Sequence, residues 1–205
     1  MHSSKQQLAI LMALKHGIDE HITLDGVLER FARHDVVKRS AMWARERQRF
    51  SESGTFEDFV DAIADLLDEQ VIRILKVVGS RNGVNHPLAA ALEYVRITAP
   101  IVGENHKEQL AIVIALKGAF KAGRPLVETA SIIKSLGAGP GSGAWAQLGE
   151  LIRPEDSYQS FLETLRAPLG SEVVDIMVAL AGSGSSIGNL DIATEYLRVA
   201  SYMPS

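Results

Sequence analysis

Glu57, Asp61, Asp65 and Asp68 follow one another at spacings of four, four and three. On a helix that spacing lines the carboxylates along one face, where a hard cation such as calcium or magnesium finds oxygen ligands. The stretch lacks the glycine-punctuated loop of an EF-hand, so the pattern reads as a solvated acidic stripe. A basic run lies just upstream: Lys38, Arg39, Arg45, Arg47 and Arg49. Lys38, Arg45 and Arg49 share a helical face, which suits pairing with the acidic stripe or docking of a protein partner. It has little aromatic interleaving and is offset by nearby acids, which argues against nucleic acid. The candidate partner-binding residues are therefore Lys38, Arg45, Arg47, Arg49, Glu57, Asp61 and Asp65.

Other chemistry-bearing residues do not converge. Of the six histidines, His16, His21 and His34 fall in predicted helices, and His86 and His106 in predicted loops. None forms a His-x-x-x-His pair, and zinc needs three or four convergent ligands. Gly182-Ser183-Gly184-Ser185-Ser186-Ile187-Gly188 has the glycine content of a phosphate loop. It lacks the Gly-Lys-Ser/Thr ending and the preceding strand, and reads instead as a tight link between two helices. No Gly-x-Ser-x-Gly elbow is present in its strand–turn–helix setting, and the chain has no cysteine. The expectation is a protein without catalytic residues, metal or cofactor.

The elements that would position these side chains are written twice. Lys5-Gln6-Gln7-Leu8-Ala9-Ile10-Leu11-Met12-Ala13-Leu14-Lys15 returns as Lys107-Glu108-Gln109-Leu110-Ala111-Ile112-Val113-Ile114-Ala115-Leu116-Lys117. Sliding the sequence by 102 positions aligns Lys5–Ala99 with its second copy without a gap, with about a fifth of positions identical. The same shift carries Trp43 onto Trp145, Phe59 onto Phe161, and Glu93-Tyr94-Val95-Arg96 onto Glu195-Tyr196-Leu197-Arg198. The acidic stripe and the histidines are not repeated; Gln159, Glu163, Ala167 and Gly170 replace the former. Surfaces have diverged while cores persist.

Apolar residues recur at helical spacing throughout, with no sustained period-2 run. In the first copy the predicted helices run from Lys5 to Gly17, from a Thr23 cap through Phe31, and from Val36 to Phe50. A fourth follows Gly54-Thr55, a fifth runs from Val71 to Gly79, and a sixth opens at Asn85 and Pro87. In the second copy Pro125 opens helix two, Ser142 caps helix three, Pro154 separates helices three and four, and Ser157 caps helix four. Gly182, Gly184 and Gly188 lie between helices five and six. The fold class is all-α: two tandem, similar six-helix antiparallel bundles, over 5–101 and 106–202. The short link at Pro100–His106 predicts that they pack together and bury part of both first helices.

The composition agrees. Hydrophobic content of 46% with 22% charged residues is that of an ordinary globular chain. A net charge of −4 supplies no drive toward nucleic acid or anionic lipid. No window approaches ~20 uninterrupted apolar residues. Lys117 interrupts Leu110–Phe120, and Glu93 and Arg96 interrupt Leu88–Gly103, so both read as buried helix faces. The start of the chain lacks a signal peptide's basic-then-apolar layout.

The joint order of the turns resembles a known family. Ala122-Gly123-Arg124-Pro125-Leu126 is similar to the turn between helices one and two of the F domain, the cytoplasmic module of the inner-membrane platform protein in type II secretion systems and type IV pili. Gly54-Thr55-Phe56 resembles that family's start of helix four. Gly184-Ser185-Ser186-Ile187-Gly188-Asn189-Leu190-Asp191 resembles its turn before helix six. The resemblance spans both copies and implies a six-helix bundle, often paired, so a homodimer is one expected assembly. It implies a non-enzymatic scaffold that docks the assembly ATPase or other platform components at the cytoplasmic face, peripheral to the bacterial inner membrane. Family members carry transmembrane helices after each bundle; here none is predicted, as for a soluble paralogue or a chain stripped of its membrane segments. The family often has a glutamate where this chain has Ser185 and Gly83, so a metal role tied to that glutamate does not carry over. Two other functional classes fit the residues: a cytoplasmic helical-repeat adaptor, and a small-molecule-binding regulator with a pocket between the copies.

Overall fold

Helix α2, Glu69–Val78, shows how the sequence sets its elements: Val71, Ile74, Leu75 and Val78 recur at helical spacing and all four are buried. Asp68 precedes it in extended conformation, and the Gly79 amide closes it on the Leu75 carbonyl at 2.8 Å. The computed structural model describes residues 4–19, 58, 60–61, 63–64, 67–79, 85–101, 104–136, 143–153, 157–180 and 186–202. Among the described residues there are ten helices and no strand. Besides α2 they are α1 (Ser4–Asp19), α3 (Asn85–Thr98), α4 (Glu104–Lys121), α5 (Leu126–Leu136) and α6 (Gly143–Leu151). The remainder are α7 (Tyr158–Thr164), α8 (Arg166–Leu169), α9 (Ser171–Leu180) and α10 (Ser186–Ala200).

The link from α4 to α5 is a Schellman cap. Gly123 takes φ 74°, the Gly123 amide donates to Phe120 O at 3.0 Å, and the Arg124 amide to Ala119 O at 2.9 Å. Glycine adopts that left-handed geometry without a Cβ penalty, and Pro125 then launches α5. Ser157 caps α7 by accepting the Ser160 amide at 3.2 Å, a contact worth about 1 kcal/mol. The expected fourth helix of the second copy is split at Leu165 into α7 and α8. Pro168 explains the break: its ring clashes with the carbonyl four residues back, at Thr164, where α7 ends.

Three expectations about helix starts need correction, and others lie outside the described residues. His86 and His106 were expected in loops, yet both stand in first turns, of α3 and α4. Gly188 was expected in the link before helix six and sits in the first turn of α10. For His86 the reason is its neighbour: first-turn amides have no intrahelical acceptor, so Pro87 is tolerated there and the helix starts ahead of it, at Asn85. The Thr23 cap, the Val36–Phe50 helix, the Gly54-Thr55 break, the Ser142 cap and Pro154 fall outside the described residues.

Helix α4 is the hub. Every residue from Leu110 to Ala119 is buried, the pattern of a helix enclosed on all sides. It packs on α10, α2 and α3, and less extensively on α6 and α5. In the front half α1 and α2 both pack on α3; in the back half α4 and α9 both pack on α10. Helices α2 and α9 stand at the same positions under the 102-residue shift, α3 and α10 within one residue, and α1 and α4 within two. The buried apolar side chains form one continuous cluster from Ile10 to Leu197, crossing between the halves. Phe120 meets Phe161 edge-on, with ring centroids 6.4 Å apart.

Candidate functional site

Lys117 lies in the middle of the hub helix, where an unpaired ammonium would be costly, and its side chain is 5% exposed. Two carboxylates meet it. Glu93 Oε1, from α3 of the front half, is 2.5 Å from Lys117 Nζ, and Asp191 Oδ1, from α10 of the back half, is 3.0 Å away. Lys121, one turn on, reaches 4.0 Å from the same Asp191 oxygen. Two lysines and two carboxylates balance, so this seam carries no excess charge to draw in a free ion.

Beside the pair is a small cleft lined by His86, Glu93, Lys117 and Lys121, with Ala90 and Gly118 in its wall. Its volume of about 90 Å³ falls below the ~300 Å³ at which small-molecule pockets begin. Gly118 is what lets the helices approach: a Cβ there would lie 2.7 Å from a Val78 methyl and 3.0 Å from the Ala90 methyl.

A second contact crosses the same seam. Trp145 of α6 is fully buried, and its Nε1 donates to Gln70 Oε1 of α2 at 2.8 Å. Arg73 of α2 lies over the indole ring, 5.9 Å from its centroid, and pairs with Glu69 at 2.5 Å. One Arg73 nitrogen, Nη1, is buried without a hydrogen-bond partner; the indole face offsets part of that cost as a cation–π contact. Tyr94, on α3, is also buried, and that burial pushes its phenol pKa well above the ordinary tyrosine value.

Of the seven predicted partner-binding residues, Lys38, Arg45, Arg47, Arg49, Glu57 and Asp65 lie outside the described residues. Asp61 is exposed and pairs with Lys76 of α2 at 2.9 Å. Among the described residues its partner is α2. Asp68, the last member of the acidic stripe, is a tie: Gln7 Nε2 donates to Asp68 Oδ2 at 2.6 Å, and the Asp68 amide donates to Gln7 Oε1 at 3.0 Å. Among the described residues no three His, Asp or Glu side chains converge as metal ligands, and no helix is long and apolar enough to cross a membrane.

Lys117, Glu93, Asp191, Arg73 and Trp145 are the residues that sequence reasoning passed over. Their signal was present: a charged residue inside a run such as Leu110–Phe120 either faces out or is paired, and two such runs carried complementary charges.

No family model, curated protein or solved structure matches the chain.

Proposed function

We propose that this chain is a non-enzymatic docking scaffold of a bacterial type II secretion or type IV pilus assembly platform. In this reading two six-helix units, 5–101 and 106–202, arose by internal duplication of one F-domain-like bundle. They act at the cytoplasmic side of the inner membrane, where their surfaces bind the assembly ATPase or other platform proteins. The observation that carries the reading is the ordered set of turn motifs, above all Ala122–Leu126. That segment joins α4 to α5 as the family's turn joins helices one and two, and its glycine has the positive φ the turn requires. The matching helix positions and packing of α1–α2–α3 and α4–α9–α10 support the duplication. The seam supports docking over small-molecule binding, because its charges are mutually satisfied and its cleft is small.

Division of labour follows from divergence. The repeated apolar positions build the core, and the unrepeated charges of the front half, with Lys38, Arg45, Arg47 and Arg49 on one side and Glu57, Asp61 and Asp65 on the other, supply partner contacts. Co-purification with the assembly ATPase and platform proteins encoded beside its gene tests the proposal. Simultaneous charge reversal of Arg45, Arg47 and Arg49 should weaken capture with the helical circular dichroism unchanged. Capture that survives the reversal removes the basic run from the interface, and absence of any capture by the unaltered chain ends the secretion reading.

A further inference from the structure

The same helix face is covered in one half and bare in the other. On α3 of the front half, Ala90, Glu93, Tyr94 and Ile97 form one face at helical spacing, and α4 of the back half packs against it. Ala90 and Tyr94 are buried, and Glu93 and Ile97 half-buried. The counterparts on α10 are Ile192, Glu195, Tyr196 and Val199. Here Ile192 is 44% and Val199 39% exposed, while Tyr196 is half-buried and donates to Glu172 of its own half. An isoleucine has replaced an alanine on the uncovered copy, the reverse of what solvent exposure favours.

The other side of the contact shows the same asymmetry. Leu110, Ile114 and Lys117 on α4 are buried. Their counterparts on α1 are Leu8, Met12 and Lys15, of which Met12 is 49% exposed and the other two half-buried. Residues flanking the contact follow suit. Gln70 and Arg73 of α2 turn across the seam to Trp145, whereas their counterparts Glu172 and Asp175 on α9 bond within their own half, to Tyr196 and Arg166. Each end of the molecule thus displays one complementary half of the contact that joins its two halves.

We infer that copies of this chain associate head to tail, the α10 face of one molecule receiving the α1 face of the next. The occupant of the bare α10 face is a second copy of this chain, presenting Leu8, Met12 and Lys15 as α4 presents Leu110, Ile114 and Lys117 within the molecule. On docking, Lys15 exchanges the contact it makes within its own molecule for Glu195, so that charge and apolar pattern repeat together. Glu195 is held by Arg198 one turn away, an exposed pair that is worth little and is readily exchanged. Such a contact uses different surfaces on the two partners, so it propagates into a ring or an open filament and does not stop at a symmetric dimer. The inference rests on the correspondence between the halves and stands or falls apart from the secretion reading.

The test is sedimentation velocity or light scattering on the full chain from low micromolar to several hundred micromolar. The weight-average mass should rise with concentration past twice the monomer mass. A chain that stays monomeric throughout overturns the inference and leaves the ATPase capture experiment untouched. Two blocked variants then decide the geometry. Met12→Asp removes the front face, and Ile192→Asp with Val199→Asp removes the back face. All three positions are exposed, so melting curves should match the unaltered chain. Each variant alone should remain monomeric, and an equimolar mixture should give a one-to-one complex of twice the monomer mass and nothing larger. Self-association that survives Met12→Asp, with no gain on mixing, indicates a symmetric α10-to-α10 pair and overturns the head-to-tail assignment.

Discussion

Helices α1 and α4 carry nearly the same eleven residues, Lys5–Lys15 and Lys107–Lys117, yet sit in different surroundings. Ile114 of α4 is fully buried, while Met12 at the same place in α1 is half exposed. Lys117 is clamped between Glu93 and Asp191, whereas Ala89 stands at the counterpart of Asp191 in the front half. Helix propensity and apolar period cannot account for this, since the two helices share them. Position in the chain does: among the described residues α4 packs extensively on helices of both halves, and α1 chiefly on α3. The enclosed helix carries a paired charge and a glycine at a close crossing, and the outer helix carries an exposed apolar side chain, Met12, at the place of buried Ile114.

The largest effect expected from that contrast is at Lys117. Removing both of its carboxylates, Glu93→Ala with Asp191→Ala, leaves a buried ammonium without an anion within 3 Å. Breaking a buried pair costs about 3–5 kcal/mol, and the partial exposure of both carboxylates puts this case near or below the lower figure. Lys117→Met keeps the volume, removes the need for a partner, and should leave stability within about 1 kcal/mol of the unaltered chain. At α1, Lys15→Met gives up only a contact made by a half-buried side chain and should cost less than about 1 kcal/mol. Urea unfolding of the three variants orders them. A loss in the Glu93→Ala, Asp191→Ala variant no larger than that in Lys15→Met would break the contrast between enclosed and outer helices.

A tyrosine pair sharpens the same comparison through pH. Tyr94 and its counterpart Tyr196 both hold their protons more tightly than a free tyrosine, the first through burial and the second through its hydrogen bond to Glu172. An unfolded tyrosine ionises near pH 10, so above that pH the unfolded chain releases a proton that folded Tyr94 retains. Stability present below about pH 10 is therefore lost as pH rises toward the folded value, by about 1.4 kcal/mol per pH unit. Tyr94→Phe should flatten that decline in urea midpoints measured from pH 9 to 11. Tyr196→Phe, at the solvent-facing copy, should flatten it less. An unchanged slope in the Tyr94 variant would place that phenol in water.

Much of this architecture is legible in the amino-acid order. The period of Val71–Val78 with Gly79 behind it, the Pro87 start of α3, and the Gly123–Pro125 turn all act through neighbours a few residues away, and such signals survive in one dimension. The seam does not. Lys117 reads as an interruption of an apolar face because its partners lie on two other helices, one in each half. Met12 keeps the apolar period of its buried counterpart Ile114, and a repeat pattern cannot say which of the two is covered. The basic run was singled out by charge density, and its Lys38–Arg49 segment lies outside the described residues, while Asp61 finds Lys76.

The smallest expected difference concerns a tie made in both halves with different strength. Gln7 and Gln109 occupy the same place in the repeat and reach the same turn, ahead of α2 and of α9. Gln7 makes a two-point contact with Asp68, giving to its carboxylate at 2.6 Å and taking its amide at 3.0 Å. Gln109 only donates, to the carbonyls of Pro168 and Leu169 at 3.4 and 3.2 Å, because glycine at position 170 offers no side chain to hold. Gln7→Leu therefore leaves an amide and a carboxylate short of a partner and should cost about 1 kcal/mol or a little more. Gln109→Leu strips only long bonds to carbonyls and should cost about 0.5 kcal/mol. Thermal unfolding of the two variants measures the gap. A larger loss at Gln109 would mean that the back-half turn depends on its first helix more than the front-half turn does, opposite to the order that Asp68 and Gly170 impose.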